Sequence, residues 1–144
     1  MFIKTTIFCI TLLFLLSTNL LRGADSCFIY PKIHVTFYNR LPENPSKPLL
    51  VHCKSRDDNL GTHTLTHGQS WEFSFCATLF WTKFKCELHW NGLNLNVVAY
   101  DVNWFYQQCD YASCTWTVSA SGASLQKGEM HYWENLPTRL GSIF

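Results

Sequence analysis

Basic stripes, Cys-x-x-Cys pairs and linker tracts are all missing from this sequence. Charged residues make up only 15% of the 144 residues, and 11 basic side chains face 10 acidic ones. The basic residues are scattered, whereas a nucleic-acid binder usually carries a basic patch or stripe. Without a Cys-x-x-Cys pair, the cysteine spacings do not resemble a zinc ribbon or a thioredoxin-like redox site. We therefore expect no nucleic-acid partner and no metal of the zinc-ribbon type.

The chain also lacks internal repeats, low-complexity segments and a second long apolar run. The triplet Asn44-Pro45-Ser46 fails as an N-glycosylation site because proline occupies its middle position, and no other such triplet exists. The length and the absence of linkers predict one domain.

The N-terminus has the three parts of a secretory signal peptide. Lys4 is the only charge before an apolar run from Ile7 to Leu16, and small residues follow up to Ser26. The apolar run is shorter than the roughly 20 residues that span a bilayer, which argues against a membrane anchor. We predict a signal peptide at 1–26 and a mature domain at 27–144, secreted and without membrane insertion after cleavage.

Cysteine parity supports the secreted interpretation. Of seven cysteines, Cys9 is removed with the signal peptide and an even number remains. An even number in a short secreted chain predicts a disulfide framework. Three disulfides are the first expectation, and two disulfides with Cys27 and Cys76 unpaired are the alternative. The six cysteines are Cys27, Cys53, Cys76, Cys86, Cys109 and Cys114.

Period-two alternation runs through the mature sequence. In "TKFKCELHW" the residues at 84, 86, 88 and 90 are apolar and those between them are polar. Such alternation is typical of half-buried antiparallel strands. Asn91-Gly92 predicts a two-residue hairpin turn. No segment has a convincing helical period, so we predict an all-β, antiparallel β-sandwich of about 7–8 strands, with a closed barrel as the lesser alternative.

The dipeptide His52-Cys53 suggests a catalytic pair, but neighbouring side chains on a strand point to opposite faces. Cys53 therefore faces the core as part of a disulfide, and His52 faces out. Cys86 and Cys114 also fall on core-facing positions, where a disulfide can cross between sheets. Cys76 breaks the alternation of its strand, so the N-terminal Cys27 can reach it.

The sequence gives little support for a metal site or a catalytic site. His63 and His67 are four residues apart, a metal-binding spacing only on a helix, and this segment reads as a strand or loop. Asp57, Asp58 and Asn59 predict a turn that their side chains cap through hydrogen bonds to the backbone, with Gly61 supplying a permissive backbone. We expect no cofactor and no enzyme activity. A small hydrolase that uses His63 or His67 is kept as a hypothesis to test.

The stretch "DVNWFYQQCDYAS", residues 101–113, is the first candidate for partner binding. Rigid aromatic side chains in a disulfide-held loop are good interface anchors. The alternative is that these aromatics fold back onto the core. The proline-bearing loop "RLPENPSKP", residues 40–48, is a second candidate. The predicted partner-binding residues are Trp104, Phe105, Tyr106, Asp110 and Tyr111.

Four motifs in order, "LLVHCKSRDDNLG", "GQSWEFSF", "LFWTKFKCELHW" and "CDYASCTWTV", together resemble the plant self-incompatibility proteins, the S-protein homologue family. The resemblance covers about residues 32–127. It implies a small secreted β-sandwich that acts as an extracellular signalling ligand for a cell-surface receptor protein, in self-pollen rejection or related cell–cell signalling. We expect a monomer. The alternative is a secreted inhibitor or glycan-binding module without catalysis.

The resemblance also places the family's usual four cysteines at Cys53, Cys86, Cys109 and Cys114. We expect the pairs 53–114 and 86–109, although position alone does not decide among the three possible pairings. Cys27 and Cys76 depart from the pattern and suggest an extra bridge. Trp81, inserted in the apolar run "CATLFWTKFKC", is another departure. It puts in doubt whether this chain shares a receptor with other members.

Overall fold

A computed structural model describes residues 7, 27, 31–44, 47–78, 80–104 and 107–135. The predicted signal peptide, apart from Ile7, lies outside them and stays a prediction. In the described residues no helix has the length and apolarity needed to cross a membrane. Their ten strands are β1 (Lys32–Asn39), β2 (Leu49–Lys54), β3 (Asn59–Leu65), β4 (Ser70–Cys76), β5 (Lys83–Trp90), β6 (Leu93–Asp101), β7 (Ser113–Ser119), β8 (Gly122–Leu125), β9 (Met130–Tyr132) and β10 (Glu134–Asn135).

The strands form two five-stranded sheets that face each other. The first sheet has the order β4-β1-β7-β8-β9, and the second has the order β10-β6-β5-β2-β3. A 3-10 helix, Val102–Trp104, follows β6. The predicted all-β sandwich is confirmed. It differs from the prediction in two respects: more short strands are present, and β1 pairs with β7 in parallel.

The core lies between the sheets, where the alternating apolar side chains meet. Phe37 of β1 and Trp116 of β7 are almost completely buried, and their rings stack 6.1 Å apart. The Trp116 indole N–H donates to the carbonyl of Ala99 in the second sheet, 3.1 Å away, so the buried ring leaves no unmet donor. Burial of each such large side chain stabilises the fold by about 1.5–3 kcal/mol. The inward-facing positions predicted for β1, β2, β5, β6 and β7 are therefore confirmed.

The hairpin between β5 and β6 forms where it was predicted. Asn91 and Gly92 have φ angles of 50° and 78°, both in the left-handed region, as a type I′ turn requires. The short strands β8 to β10 were missed, and the segment that forms β3 was predicted only as a strand or loop. β3 begins inside the stretch expected to be a turn, because Asn59 already pairs with Lys54 of β2.

Three disulfides are present, and their pairing corrects the expected one. Cys53 pairs with Cys86, not with Cys114, because the two residues lie directly opposite each other on neighbouring strands of the second sheet. Their Cα atoms are 4.1 Å apart. This bridge lies within one sheet and does not cross to the other.

Cys109 pairs with Cys114, five residues later, and closes a short loop before β7. The expected partner for Cys109 was Cys86, so this pairing was also wrong. Cys27 pairs with Cys76 at the exposed end of β4, which confirms the predicted extra bridge and joins the segment before β1 to the neighbouring strand.

Candidate functional site

One end of the sandwich gathers the features expected of a binding site, and we call it the stapled end. Ser113 of β7 pairs with His34 near the start of β1, and Asp101 pairs with Lys83 at the start of β5, so the adjoining loops leave the sheets at this end. The stapled end comprises the turns 55–58, 77–82, 102–112 and 126–129 and the disulfides Cys27–Cys76 and Cys109–Cys114.

The loop 102–112 is fixed at both of its ends. At its start, a carboxylate oxygen of Asp101 accepts hydrogen bonds from the backbone N–H and the side-chain amide of Asn103, at 2.9 and 2.8 Å. At its end, Asp110 and Ser113 form an isolated β-bridge, which the Cys109–Cys114 disulfide closes. The predicted covalent support for this loop is therefore present.

The structure divides the predicted partner-binding residues into different roles. Trp104 is half-buried and packs edge-on against Tyr100, with ring centroids 6.2 Å apart, so it partly serves the core. Asp110 is exposed, and its carboxylate accepts a hydrogen bond from Lys127 at 3.1 Å. Tyr111 is 69% exposed. Phe105 and Tyr106 lie outside the described residues, so their role stays a prediction.

Asp101 and Lys83 form the best-shielded ion pair of this end. The Lys83 ammonium lies 2.8 Å from Asp101, whose side chain is only 12% exposed. Burial alone would raise the pKa of Asp101, but hydrogen bonds from Lys83 and Asn103 outweigh it and hold that pKa below its usual value. The carboxylate therefore stays charged and joins the end of β6 to the start of β5.

A second exposed feature of this end was not predicted from the sequence. Phe80 and Trp81, in the turn 77–82, are 69% and 71% exposed, with ring centroids 6.5 Å apart in an edge-on arrangement. Within the apolar run "ATLFW" they look like core residues. The signal that could have identified Trp81 is its place in the alternation, because it has the same parity as the outward-facing Lys83 and Lys85 of β5.

A cleft of about 630 Å³ opens beside the loop 102–112. Its lining includes Trp104 and Gln108 of the loop, Asn96 of β6 and His131 of β9, together with the charged residues Lys83, Asp101, Lys127 and Glu129. A planar aromatic surface together with amide and imidazole groups can hold a polar ligand through stacking and hydrogen bonds. The cleft is therefore a concave extension of the predicted loop site.

The histidines are dispersed among the described residues and do not assemble into a catalytic group. His63 stacks on Trp71 with ring centroids 3.8 Å apart, whereas His67 hydrogen-bonds the carbonyl of Leu41. His52 contacts Asn59, and its neighbour Cys53 is held in a disulfide. The described residues contain no group of three or more His, Cys, Asp or Glu side chains placed to hold a metal.

The turn at 55–58 confirms one of the three expected capping residues: the Asn59 side chain accepts the backbone N–H of Gly61 at 3.0 Å, whereas the cap from Ser55 was not predicted. Ser55, not an aspartate, accepts hydrogen bonds from the backbone N–H groups of Asp57 and Asp58, while Asp57 pairs with Arg56. Gly61 has a φ of 75°, which confirms its expected backbone role.

The proline-bearing loop, the second predicted candidate, lies at the other end of the sandwich, and its role in binding stays a prediction. Residues 45 and 46 lie outside the described part of the chain, but Leu41 is 1% exposed and its backbone N–H donates to the Asn39 side chain. The start of this loop is thus anchored in the core.

Comparisons with known proteins agree with this architecture. A sequence model of the family described as plant self-incompatibility protein S1 matches residues 34–136. S-protein homolog 8 of Arabidopsis thaliana is 45% identical over 86 residues, which are 60% of this chain and 63% of that protein. S-protein homolog 29 of the same plant is 32% identical over 120 residues, 76% of this chain and 82% of that protein. The chain thus spans somewhat less than two thirds of the first relative.

A solved structure adds an independent likeness. It belongs to the SPH (self-incompatibility protein homologue) proteins, described as a widespread family of small, highly stable, secreted proteins from plants. The TM-score is 0.55, and the match covers 72% of this chain and 96% of that one. The sequence identity is 16%, so this likeness supports the fold alone.

Proposed function

The chain belongs to the plant self-incompatibility protein S1 family, that of the secreted S-protein homologues, and from this premise we propose that it is an extracellular signalling ligand. In this proposal it binds a cell-surface receptor protein through the loop 102–112 and catalyses no reaction. It acts in self-pollen rejection or in related cell–cell signalling.

One observation carries the proposal: the loop 102–112 is tied at both of its ends and still presents Tyr111 to solvent. The Asp101–Asn103 hydrogen bonds hold its start, the Cys109–Cys114 disulfide and the Asp110–Ser113 bridge hold its end, and Tyr111 remains 69% exposed. A pre-organised loop loses little conformational entropy on binding, so its contacts contribute more fully to affinity. Aromatic anchors of this kind often dominate interface energies.

We propose that the protein catalyses no reaction because its histidine side chains are dispersed among the described residues. His63 and His67, the residues of the hydrolase hypothesis, contact a tryptophan ring and a backbone carbonyl respectively. A general base must lie within hydrogen-bond reach of the proton that it abstracts. Replacing both histidines by alanine should therefore leave every binding readout unchanged. Hydrolytic activity that disappears with them would contradict the proposal.

Saturable binding of the labelled, oxidised protein to living plant cells tests the ligand role. A Tyr111→Asn variant should lose most of this binding, because it removes the exposed ring and Asn tolerates the left-handed backbone (φ 55°) at this position. Tyr132→Ala is the matched control, since Tyr132 is 70% exposed on β9. Equal loss in both variants, or no saturable binding in any tissue sampled, would contradict the proposal.

A glycan-binding module is the second candidate, and the cleft beside Trp104 favours it. Asn96, Gln108 and His131 line this cleft together with the tryptophan ring. Binding to a glycan array that is lost in Gln108→Ala but kept in Tyr111→Asn would support this candidate over the receptor ligand.

A further inference from the structure

The turn 77–82 presents Trp81 in a braced position. The backbone N–H of Thr78 donates to the Thr82 hydroxyl at 2.8 Å, and the two hydroxyls lie 3.0 Å apart. The Thr82 carbonyl in turn accepts the backbone N–H of Val102, at 3.0 Å. These contacts hold the turn at Thr78 and Thr82, and the indole between them stays 71% exposed, so the ring is placed for contact at little entropic cost.

Basic side chains line a cleft beside the Trp81 ring. A cleft of about 300 Å³ is lined by Trp81 together with lysines and an arginine and no acidic residue. Lys54 and Lys85 lie directly opposite each other on β2 and β5. Like charges in this position destabilise a sheet, so packing of the fold does not account for the pair. The cleft lining comprises Lys54, Ser55, Arg56, Trp81, Lys83 and Lys85.

Both the lysines and the Trp81 ring of this cleft keep groups that can bind a ligand. Lys54 lies 3.3 Å from Glu87 in an exposed pair, which contributes little and exchanges readily with another carboxylate. Within the described chain, Lys85 has no ion pair and the Trp81 indole N–H has no hydrogen-bond acceptor. Both groups can therefore engage an incoming ligand without first breaking an internal contact.

We infer that this Trp81 cleft binds an extended acidic peptide segment of a protein partner. A carboxylate of such a segment would meet Lys85, which has no ion pair within the described residues, and a second would compete with Glu87 for Lys54 on the neighbouring strand. Lys83 and Arg56 stay paired with Asp101 and Asp57. An apolar or aromatic side chain of the segment would pack against Trp81. Charge complementarity of this kind sets register and raises association rates.

The shape of the surface favours a peptide over a bilayer. Trp81 lines two concave regions, the basic cleft and a second one of about 230 Å³ that is also lined by Thr78, Thr82, Asp57 and Asp58. The two aspartates would repel an acidic segment there, so the segment is confined to the basic cleft. A bilayer surface would touch only projecting groups, whereas a chain can follow a groove. Binding of an anionic polysaccharide or an anionic vesicle is the alternative outcome of the test.

The biological setting of this inference rests on the proposed ligand role, because the segment would belong to a partner outside the cell. Binding at the Trp81 cleft can be tested independently of that role, because purified probes take the place of the partner. Failure of the peptide test would leave cell binding through Tyr111 untouched, and the converse also holds.

The experiment measures equilibrium binding of the oxidised protein to an immobilised random copolymer of glutamate and tyrosine. Heparin and vesicles of phosphatidylcholine with phosphatidylserine are parallel probes. Binding to the copolymer should weaken with added salt, and Trp81→Ala and Lys85→Glu should each lower affinity by about tenfold, the effect of losing one strong interface contact. The matched controls Tyr132→Ala and Lys47→Glu should stay within about twofold of the parent, as substitutions outside an interface do.

Thermal unfolding of each variant first establishes that the fold is intact. Loss of copolymer binding in the two cleft variants but not in the controls supports the inference. Binding of heparin or anionic vesicles in preference to the copolymer, lost in the same variants, would overturn the peptide assignment in favour of that other class. Absence of copolymer binding, or equal binding by all variants, would overturn it as well.

Discussion

The two ends of the sandwich are held together by different chemistry. The stapled end is fixed by two disulfides and exposes Phe80, Trp81 and Tyr111. The opposite end comprises the loop 40–48 and the turns 66–69, 91–92 and 120–121, and we call it the hydrogen-bonded end.

Asn39 is the centre of the hydrogen-bonded end. Its side chain is buried, donates to the Leu65 carbonyl and accepts the Leu41 N–H, both at 2.9 Å. Its backbone binds Gly68 and Gln69 at 2.9 Å each. One residue thus connects β1 with the neighbouring loops, without a covalent bond.

The comparison shows where each kind of support is useful. Hydrogen bonds suffice where the loops bury their own side chains, as Leu41 does. A loop that turns its aromatic rings towards solvent forgoes that hydrophobic stabilisation, and a covalent bond can replace it. The disulfides Cys27–Cys76 and Cys109–Cys114 therefore lie where a partner is proposed to bind, whereas Cys53–Cys86 lies within the second sheet.

Removal of the Cys27–Cys76 disulfide should have the largest effect on stability. The variant Cys27→Ser/Cys76→Ser opens a loop of 49 residues, for which the chain-entropy relation gives a loss of about 4 kcal/mol in the free energy of unfolding. Urea unfolding measures the loss. Amide exchange should accelerate in the turn 77–82 and stay unchanged at 66–69, and uniform acceleration at both ends would contradict the proposed division.

Asn39→Ala should cost somewhat less and act at the other end. It leaves the Leu65 carbonyl and the Leu41 N–H without their buried partner, at about 3 kcal/mol for the two groups together. The same urea measurement applies, with Asn96→Ala as the exposed control, expected within about 0.5 kcal/mol of the parent. A loss of cell binding that exceeds the loss of stability in Asn39→Ala would argue against separate roles for the two ends.

Cys109→Ala/Cys114→Ala should cost about 2 kcal/mol, because its loop is only five residues long. The consequence for function should be larger than that for stability, since the loop 102–112 loses its fixed shape. Cell binding by this variant is compared with that of Cys27→Ser/Cys76→Ser at a temperature where both are folded. A larger stability cost for the short loop than for the long one would refute the entropic explanation.

The smallest effect is expected from the Lys83–Asp101 pair under acid conditions. The pKa of Asp101 is lowered in the folded state, so its contribution to stability is complete above the unfolded pKa, near 3.8, and is lost as pH falls through the folded pKa. The parent should therefore lose stability more steeply than Asp101→Asn below about pH 4. Urea midpoints measured at several pH values test this, and identical slopes would rule out a lowered pKa.

The sequence allowed the strand faces to be predicted because alternation is a local property. Ile33, Phe84 and Trp116 all face the core as expected. The pairing of cysteines depends instead on which strands are neighbours. Cys53, Cys86 and Cys114 share a core-facing position, and only the sheet order puts the first two opposite each other.

Prediction from the sequence meets the same limit at the candidate site, because the exposure of an aromatic side chain also depends on the tertiary structure. Tyr111 was identified because it lies in a polar, cysteine-held loop. Trp81 was not, since an apolar run predicts a core whether or not a turn carries it to the surface. Trp104 was placed in the correct loop, but its contact with Tyr100 depends on the 3-10 helix that directs it inward.

The parallel pairing of β1 with β7 has a consequence for the order in which the chain folds. The β5–β6 hairpin can form as soon as it leaves the translocation pore, and β2 can join it early. β1 must wait until residues 113–118 have been synthesised before both of its edges are paired. Contacts this distant in sequence form slowly, and meanwhile β1 is an open edge that another chain could occupy. The Cys27–Cys76 bond joins the segment before β1 to β4, and the pairing of β1 with β4 closes one of those two edges without β7.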